Sequence, residues 1–204
     1  SANSGGGTGT QTWTHTPVGT PKAIIVHVYQ TNGTDEISTV TYGGVAMTQV
    51  SGSPSAKATG EAMGVAMFFL GSGIPTGAQT VIATATGTTN TKVGGSISLT
   101  GPGDCEIVDV DATINSDSVA NPSVTLSLAG RKSYCEIIFI SGQDAVTGIT
   151  PLTGWTSLGE VDLGAIQFGA YTYDTVGSVD VTAGWTQTAE DAVAIAIAVS
   201  YIGS

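Results

Sequence analysis

Near the C-terminal end of the chain, Val193, Ile195, Ile197 and Val199 alternate with alanine and serine. A period of two is the signature of an extended strand, because successive side chains point to opposite faces. A helix would spread those four residues around much of its circumference. The segment therefore predicts a central strand, with large side chains on one face and small ones on the other. The small face is suited to close packing against a loop or a neighbouring chain. No other feature constrains the fold as strongly, and the rest of the chain repeats its theme.

Short apolar or β-branched runs recur at residues 12–16, 23–29, 38–42, 45–50, 62–70, 79–84 and 92–99. They continue at 106–111, 123–128, 134–140, 165–173, 178–182 and 192–202. Gly, Pro, Asn, Asp and Ser fill most of the gaps, which marks turns. Gly43 and Gly44 between two such runs predict a tight hairpin. The segment 56–66 is the best place for a short helical turn, although its two glycines oppose one. Residues 142–160 read as a long loop with Trp155 folded inward. No sequence repeat of fixed period emerges. The expected fold is all-β: a single β-sandwich, jelly-roll-like or immunoglobulin-like, of about ten or more antiparallel strands over residues 11–204.

Residues 1–10 are small and polar and read as a Gly/Ser-rich arm. Ser4, Gly5, Gly6 and Gly7 are its candidate assembly residues; the alternative is an arm lying on its own domain. The arm has neither the basic nor the apolar region of a signal peptide, and a signal already removed stays compatible with it.

Charge narrows the function classes. The chain has 5 basic and 16 acidic residues among 204, a net charge of −11 and a pI near 4.1. A phosphate-binding face needs clustered Lys and Arg, so nucleic acid is not an expected partner. Docking on an anionic membrane is disfavoured for the same reason, and no apolar run is long enough to span a bilayer as a helix. Charged residues make up only 10%, so the surface must be covered by other groups. The 31 threonines, with Ser and Gly, supply them.

Candidates for chemistry are few. His15 and His27 are the two histidines. His27 faces opposite to Val26 and Val28, and its bland reading is a satisfied, half-buried strand histidine rather than a catalytic base. Neither a G-x-S-x-G elbow nor H-E-x-x-H occurs, so no catalytic residue is assigned and the chain is not expected to be an enzyme. Asp109 and Asp111 share a strand face and form a weak Ca²⁺ candidate without calcium-loop grammar. The competing reading is a charged strand face that deters edge pairing. No other cofactor is expected. Cys105 and Cys135 open two similar runs, CEIVDV and CEIIFI, that read as neighbouring strand starts. They are either a disulfide or two small buried hydrophobes. Tyr171 and Tyr173 lie on one strand face and are the best pair for a glycan-stacking platform.

The stretch TVTYGGVAMTQV (39–50) resembles β-sandwich virion or surface structural proteins of bacteriophages and environmental bacteria. Further matching pieces are the Phe-x-Leu step at 68–70, the Pro–Gly turn at 74–77 and the TVIAT strand at 80–84. Gly154–Thr156 and the closing Val199, Ser200 and Tyr201 also fit. The turn departs from the family's Pro-Pro-x-Gly form. The resemblance implies a structural or adhesive role and carries no catalytic residue across. The expected function is a structural protein of a bacteriophage virion, as capsid decoration or cement, or as a tail or fibre component. It would be located in the virion and act as a homo-oligomer with other virion proteins. The alternative is a secreted or cell-surface lectin-like module that binds carbohydrate or a receptor. A glycan hydrolase is the third reading.

Overall fold

The computed structural model describes residues 2–4, 6–34, 36–57, 59–60, 62–111, 115–128, 134–144, 149–163, 166–176 and 180–202. The first half contributes β1 (Ala2–Asn3), β2 (Gln11–His15), β3 (Ala23–Gln30), β4 (Ile37–Tyr42) and β5 (Val45–Ala46). It continues with β6 (Thr48–Gln49), β7 (Ser55–Lys57), β8 (Met63–Leu70), β9 (Gln79–Ala85) and β10 (Lys92–Leu99). The second half contributes β11 (Cys105–Asp111), β12 (Asn115–Val119), β13 (Ser123–Leu126), β14 (Tyr134–Asp144) and β15 (Thr150–Pro151). It ends with β16 (Thr156–Asp162), β17 (Ile166–Val176), β18 (Val181–Thr186) and β19 (Glu190–Tyr201). Among the described residues there is no helix, and the all-β expectation holds.

The strands form four antiparallel sheets, where one pair of sheets was expected. Two come from the first half, with orders β1-β10-β3-β8-β6 and β2-β9-β4-β5. Two come from the second half, with orders β11-β19-β14-β17-β16 and β13-β18-β15. Short β7 also pairs with β8, and β12 with β19. No sheet mixes strands from the two halves. Three clusters of buried apolar side chains join these sheets.

The middle interface joins the β3 sheet to the β19 sheet. Ala23, Ile25, Tyr29, Met63, Val65 and Met67 meet Phe168, Val193, Ile195, Ile197, Val199 and Tyr201 there. The opposite face of β3 carries Ile24, Val26 and Val28, which pack on Val40, Tyr42 and Val81 of the first outer sheet. The opposite face of β19 carries Ala192, Ala194, Ala196 and Ala198, which pack with Leu126, Leu128 and Trp185 on the second outer sheet. Both faces of β3 and β19 are thus covered, which is why their sequences are continuous apolar runs. Outer strands alternate instead: β2 and β13 bury every second residue. The small face of β19 meets a sheet of its own chain rather than a loop or a second chain.

Local chemistry sets the turns and exceptions. Gly43 and Gly44 have φ of 57° and 82° and join Tyr42 to its partner Val45. Positive φ at both positions of a two-residue loop is what a type I′ hairpin demands, so the expected tight turn is present. The run 45–50 divides at Met47, where the chain passes from the first outer sheet to β6 on the inner sheet. The described residues of the 56–66 segment hold the end of β7 and the start of β8, with no helical turn among them. The supposed loop 142–160 contains the end of β14, then β15 and the start of β16. β16 is an edge strand whose register shifts between Ser157 and Gly159.

Candidate functional site

Among the described residues, the buried polar side chains include two structural clusters and part of the lining of one cleft. In the first cluster Ser96 is the hub. The Trp13 indole N–H donates to its Oγ at 2.9 Å, and His15 Nδ1 lies 2.8 Å from the same oxygen. In the second, Lys92 is fully buried and forms an ion pair with Glu36. Its ammonium also donates to the carbonyls of Thr8, Gly87 and Asn90 at 3.1–3.2 Å. Glu36 accepts from Asn32 and Asn90 at 2.7 and 2.8 Å. The Lys92 hydrogen bond leads the causes that hold the Glu36 carboxyl below its usual range, against a smaller opposing effect of burial. Lys92 and Glu36 satisfy one another, whereas His15 Nε2 is buried without a hydrogen-bond partner; both clusters tie distant strands together.

The cleft is different. It has a volume of about 290 Å³ and opens between the edge of the β3 sheet and the edge of the β19 sheet. Asn3 of β1, His27 and Tyr29 of β3, Gly95 of β10, and Gly159 and Glu160 of β16 line it. His27 and Tyr29 lie two residues apart on the face of β3 that is otherwise apolar. Gly95 is the cross-strand partner of His27, and a side chain there would collide with the imidazole. Glycine is therefore needed for the ring to occupy this place. The rings of His27 and Tyr29 lie 5.0 Å apart, and Tyr29 stacks on Phe168 at 4.8 Å.

Two polar atoms in the cleft, His27 Nδ1 and the Tyr29 hydroxyl, are buried without a hydrogen-bond partner. Burial pushes the imidazole down to about 4, so His27 is neutral near pH 7. It raises the Tyr29 phenol, and the Glu160 charge adds to that. Glu160 itself accepts a hydrogen bond of 2.9 Å from the Tyr171 hydroxyl. The half-buried, satisfied histidine of the sequence reading is thus corrected: His27 is enclosed and its Nδ1 is unpaired. A more open hollow of about 420 Å³ lies at the other end of β10, beside Thr100 and Tyr201. There the Tyr201 hydroxyl already donates to the Thr100 carbonyl at 2.9 Å.

Apart from His27, the residues singled out from sequence lie elsewhere. Asp109 and Asp111 do share a face, but each accepts a backbone N–H of the second outer sheet's edge. Ser127 donates to Asp109 at 2.5 Å and Thr125 to Asp111 at 2.9 Å. They tie β11 to β13, and among the described residues no group of three or more acidic, His or Cys side chains could hold a metal. Tyr171 is fully buried and Tyr173 half-buried against Trp155, with ring centroids 5.5 Å apart. A flat exposed platform is therefore absent at this pair.

The arm lies on its own domain. Ala2 and Asn3 pair with Ser96 and Gly95, and Gly7 exchanges two backbone hydrogen bonds with Lys92. The Ser4 hydroxyl accepts from the Gly94 N–H at 2.8 Å. Gly6 sits beside Val93 at φ 87°, and Gly5 lies outside the described residues.

Cys105 and Cys135 are not neighbours: β19 runs between their strands. Their partners on it are Tyr201 and Ser200, which point to opposite faces. Two strand spacings of about 4.8 Å exceed the roughly 7 Å a disulfide allows. Cys105 is a free buried thiol, pushed up to about 11 by burial first and by Asp104 second.

Sequence reasoning passed over Asn3 and Glu160, and it counted Tyr29 among the aromatic sugar-stacking candidates without joining it to His27. The available signal was the His-x-Tyr spacing inside a buried run, which puts two polar groups on one covered face. No protein-family model, curated protein or solved structure matches this chain.

Proposed function

We propose that the chain is a non-enzymatic building block of a bacteriophage virion, a capsid decoration or tail component, that works through contacts with further copies of itself. The observation that carries this reading is the placement of charge. None of the strands in the two outer sheets contains Asp, Glu, Lys or Arg. The first outer sheet turns Thr12, Thr14, Thr39, Thr80 and Ile82 to the outside. The second turns out Ser123, Thr125, Thr150, Thr182 and Thr186. Acidic groups such as Glu106, Glu160 and Asp162 sit instead on the edge strands between these faces. Copies that each carry −11 repel one another, and an uncharged flat face is where they can meet at least cost.

Strand order supports a jelly-roll reading of each half. Take β1, β2, β3, β4, β5, β8, β9 and β10 as strands one to eight. The two sheets then read 1-8-3-6 and 2-7-4-5, the order of two interleaved Greek keys. The second half, with β11, β13, β14, β15, β16, β17, β18 and β19, reads 1-8-3-6-5 and 2-7-4. The fold would then be two jelly rolls back to back, a scaffold compatible with many functions.

Light scattering tests the contact. A defined oligomer that dissociates in the double variant Thr14→Glu/Thr80→Glu, with unchanged circular dichroism, supports it. A monomer at every concentration, together with failure to band with particles in a density gradient, overturns it.

A further inference from the structure

The cleft between β1, β3 and β16 is a built site for which an assembly role has no use. Apart from His27, the inward row of β3 that faces the second half is Ala23, Ile25 and Tyr29, and the opposing row of β17 is Ile166, Phe168 and Ala170. Placing an imidazole in that row costs desolvation energy unless something compensates it. Buried polar atoms are nearly always paired, yet His27 Nδ1 and the Tyr29 hydroxyl both end at the cleft unpaired. The backbone is shaped around them. Gly95 leaves room for the imidazole, and Gly159, at φ 149°, places the register shift of β16 at the wall.

From this geometry we infer that the cleft binds a neutral polyhydroxylated ring, a single sugar residue, through His27, Tyr29, Asn3 and Glu160. The donor set decides the class. A neutral imidazole, a phenol and a carboxamide each both donate and accept, and a carboxylate accepts; hydroxyl groups match all four. A phosphate or carboxylate ligand would face Glu160 with no cation among the lining residues. The volume is at the small end for ligand sites, which run about 300–1,000 Å³, so one ring fits and a nucleotide does not. Asn3 belongs to the arm, so the paired arm completes the wall. This inference is independent of the assembly reading, since the site lies within one chain.

The test uses histidine proton resonances, of which the chain has two sets. D-glucose, D-galactose, D-mannose and N-acetyl-D-glucosamine are titrated one at a time, with D-galacturonate and inorganic phosphate as anionic probes. The His27 signal is assigned through its contacts to Tyr29. At least one neutral sugar is expected to move that signal saturably and leave the His15 signal in place. Tyr29→Phe keeps the ring and its stacking on Phe168, and should weaken that sugar about tenfold, the loss of one hydrogen bond. Asn3→Ala, on the exposed edge, should weaken it by a similar factor.

Four neutral sugars that leave His27 unmoved overturn the inference. So does an anionic probe that binds as tightly, or binding undiminished in both variants. The Thr14→Glu/Thr80→Glu chain should bind the sugar as the parent does, so failure of the assembly reading and failure of this one are separately visible.

Discussion

The two halves of the chain follow one strand plan and fill it with different chemistry. In the first half, four strands make the outer sheet, and bulky residues from both sides (Ile24, Val26, Tyr42, Val81) fill the space beneath it. Two polar clusters, at Ser96 and at Lys92, close its margins. In the second half the outer sheet has three strands, because β16 pairs with β17 in the inner sheet instead. Its core sets a row of alanines against Trp185, Leu126 and Leu128, and two aspartates hold its edge. The difference teaches that topology tolerates opposite allocations of volume. A small inner face with a large outer one works as well as two of middle size, provided the sum fills the gap.

Five changes would break or sharpen that comparison. Ile197→Asp has the largest expected effect, because Ile197 is fully buried in the interface that both halves share. An unpaired carboxylate there should abolish the cooperative thermal transition seen by calorimetry. Cooperative unfolding at the parent temperature would show that the halves do not depend on each other. Lys92→Met strikes the first half alone. It leaves Glu36 without its cation and frees three carbonyls, for a loss of about 3–5 kcal/mol in urea denaturation.

The third change is pH. The folded His27 pKa, about 4, is below an unfolded value of roughly 6.5. The unfolded chain therefore binds more protons between these values, and stability falls as pH drops from 6.5 to 4. The contribution is fully present above 6.5 and exhausted below 4, and is on the order of 3 kcal/mol. His27→Gln should remove this share of the slope in melting temperature against pH. Fourth, Ala196→Leu overfills the alanine row of the second half and should cost about 1–3 kcal/mol. A neutral result would mean that row holds spare volume. The smallest effect is expected from Asp111→Ala, about 1 kcal/mol for one lost hydrogen bond at an exposed edge. Faster hydrogen exchange at Thr125 would accompany it.

How far these features could be read from sequence depends on what each residue pattern encodes. β19 was legible because its alternation of Ile or Val with Ala names both faces at once. The Gly43–Gly44 hairpin was legible because only glycine takes two consecutive positive φ values cheaply. β16 was not, since TSLGEVD is an edge strand with three glycine-bearing or charged positions and little apolar signal. The duplicate strand plan left no repeat, because the cores beneath the two outer sheets use different side chains. The cleft was hidden for another reason. Its walls come from β1, β3, β10 and β16, far apart in the chain, and only β3 carries a local signal, the His-x-Tyr pair in a buried run.

The position of β19 at the end of the strand order has a consequence in time. All strands of the first two sheets emerge from a ribosome before any of the second half. Until β17 and β19 arrive, Ala23, Ile25, Met63, Val65 and Met67 lack most of the residues that cover them. At about 5–20 residues per second, roughly 100 residues of delay is on the order of 5–20 s. A nascent first half therefore spends seconds as a sticky surface in the cell. Its yield during synthesis should depend on how well chaperones shield that face before the last strand closes over it.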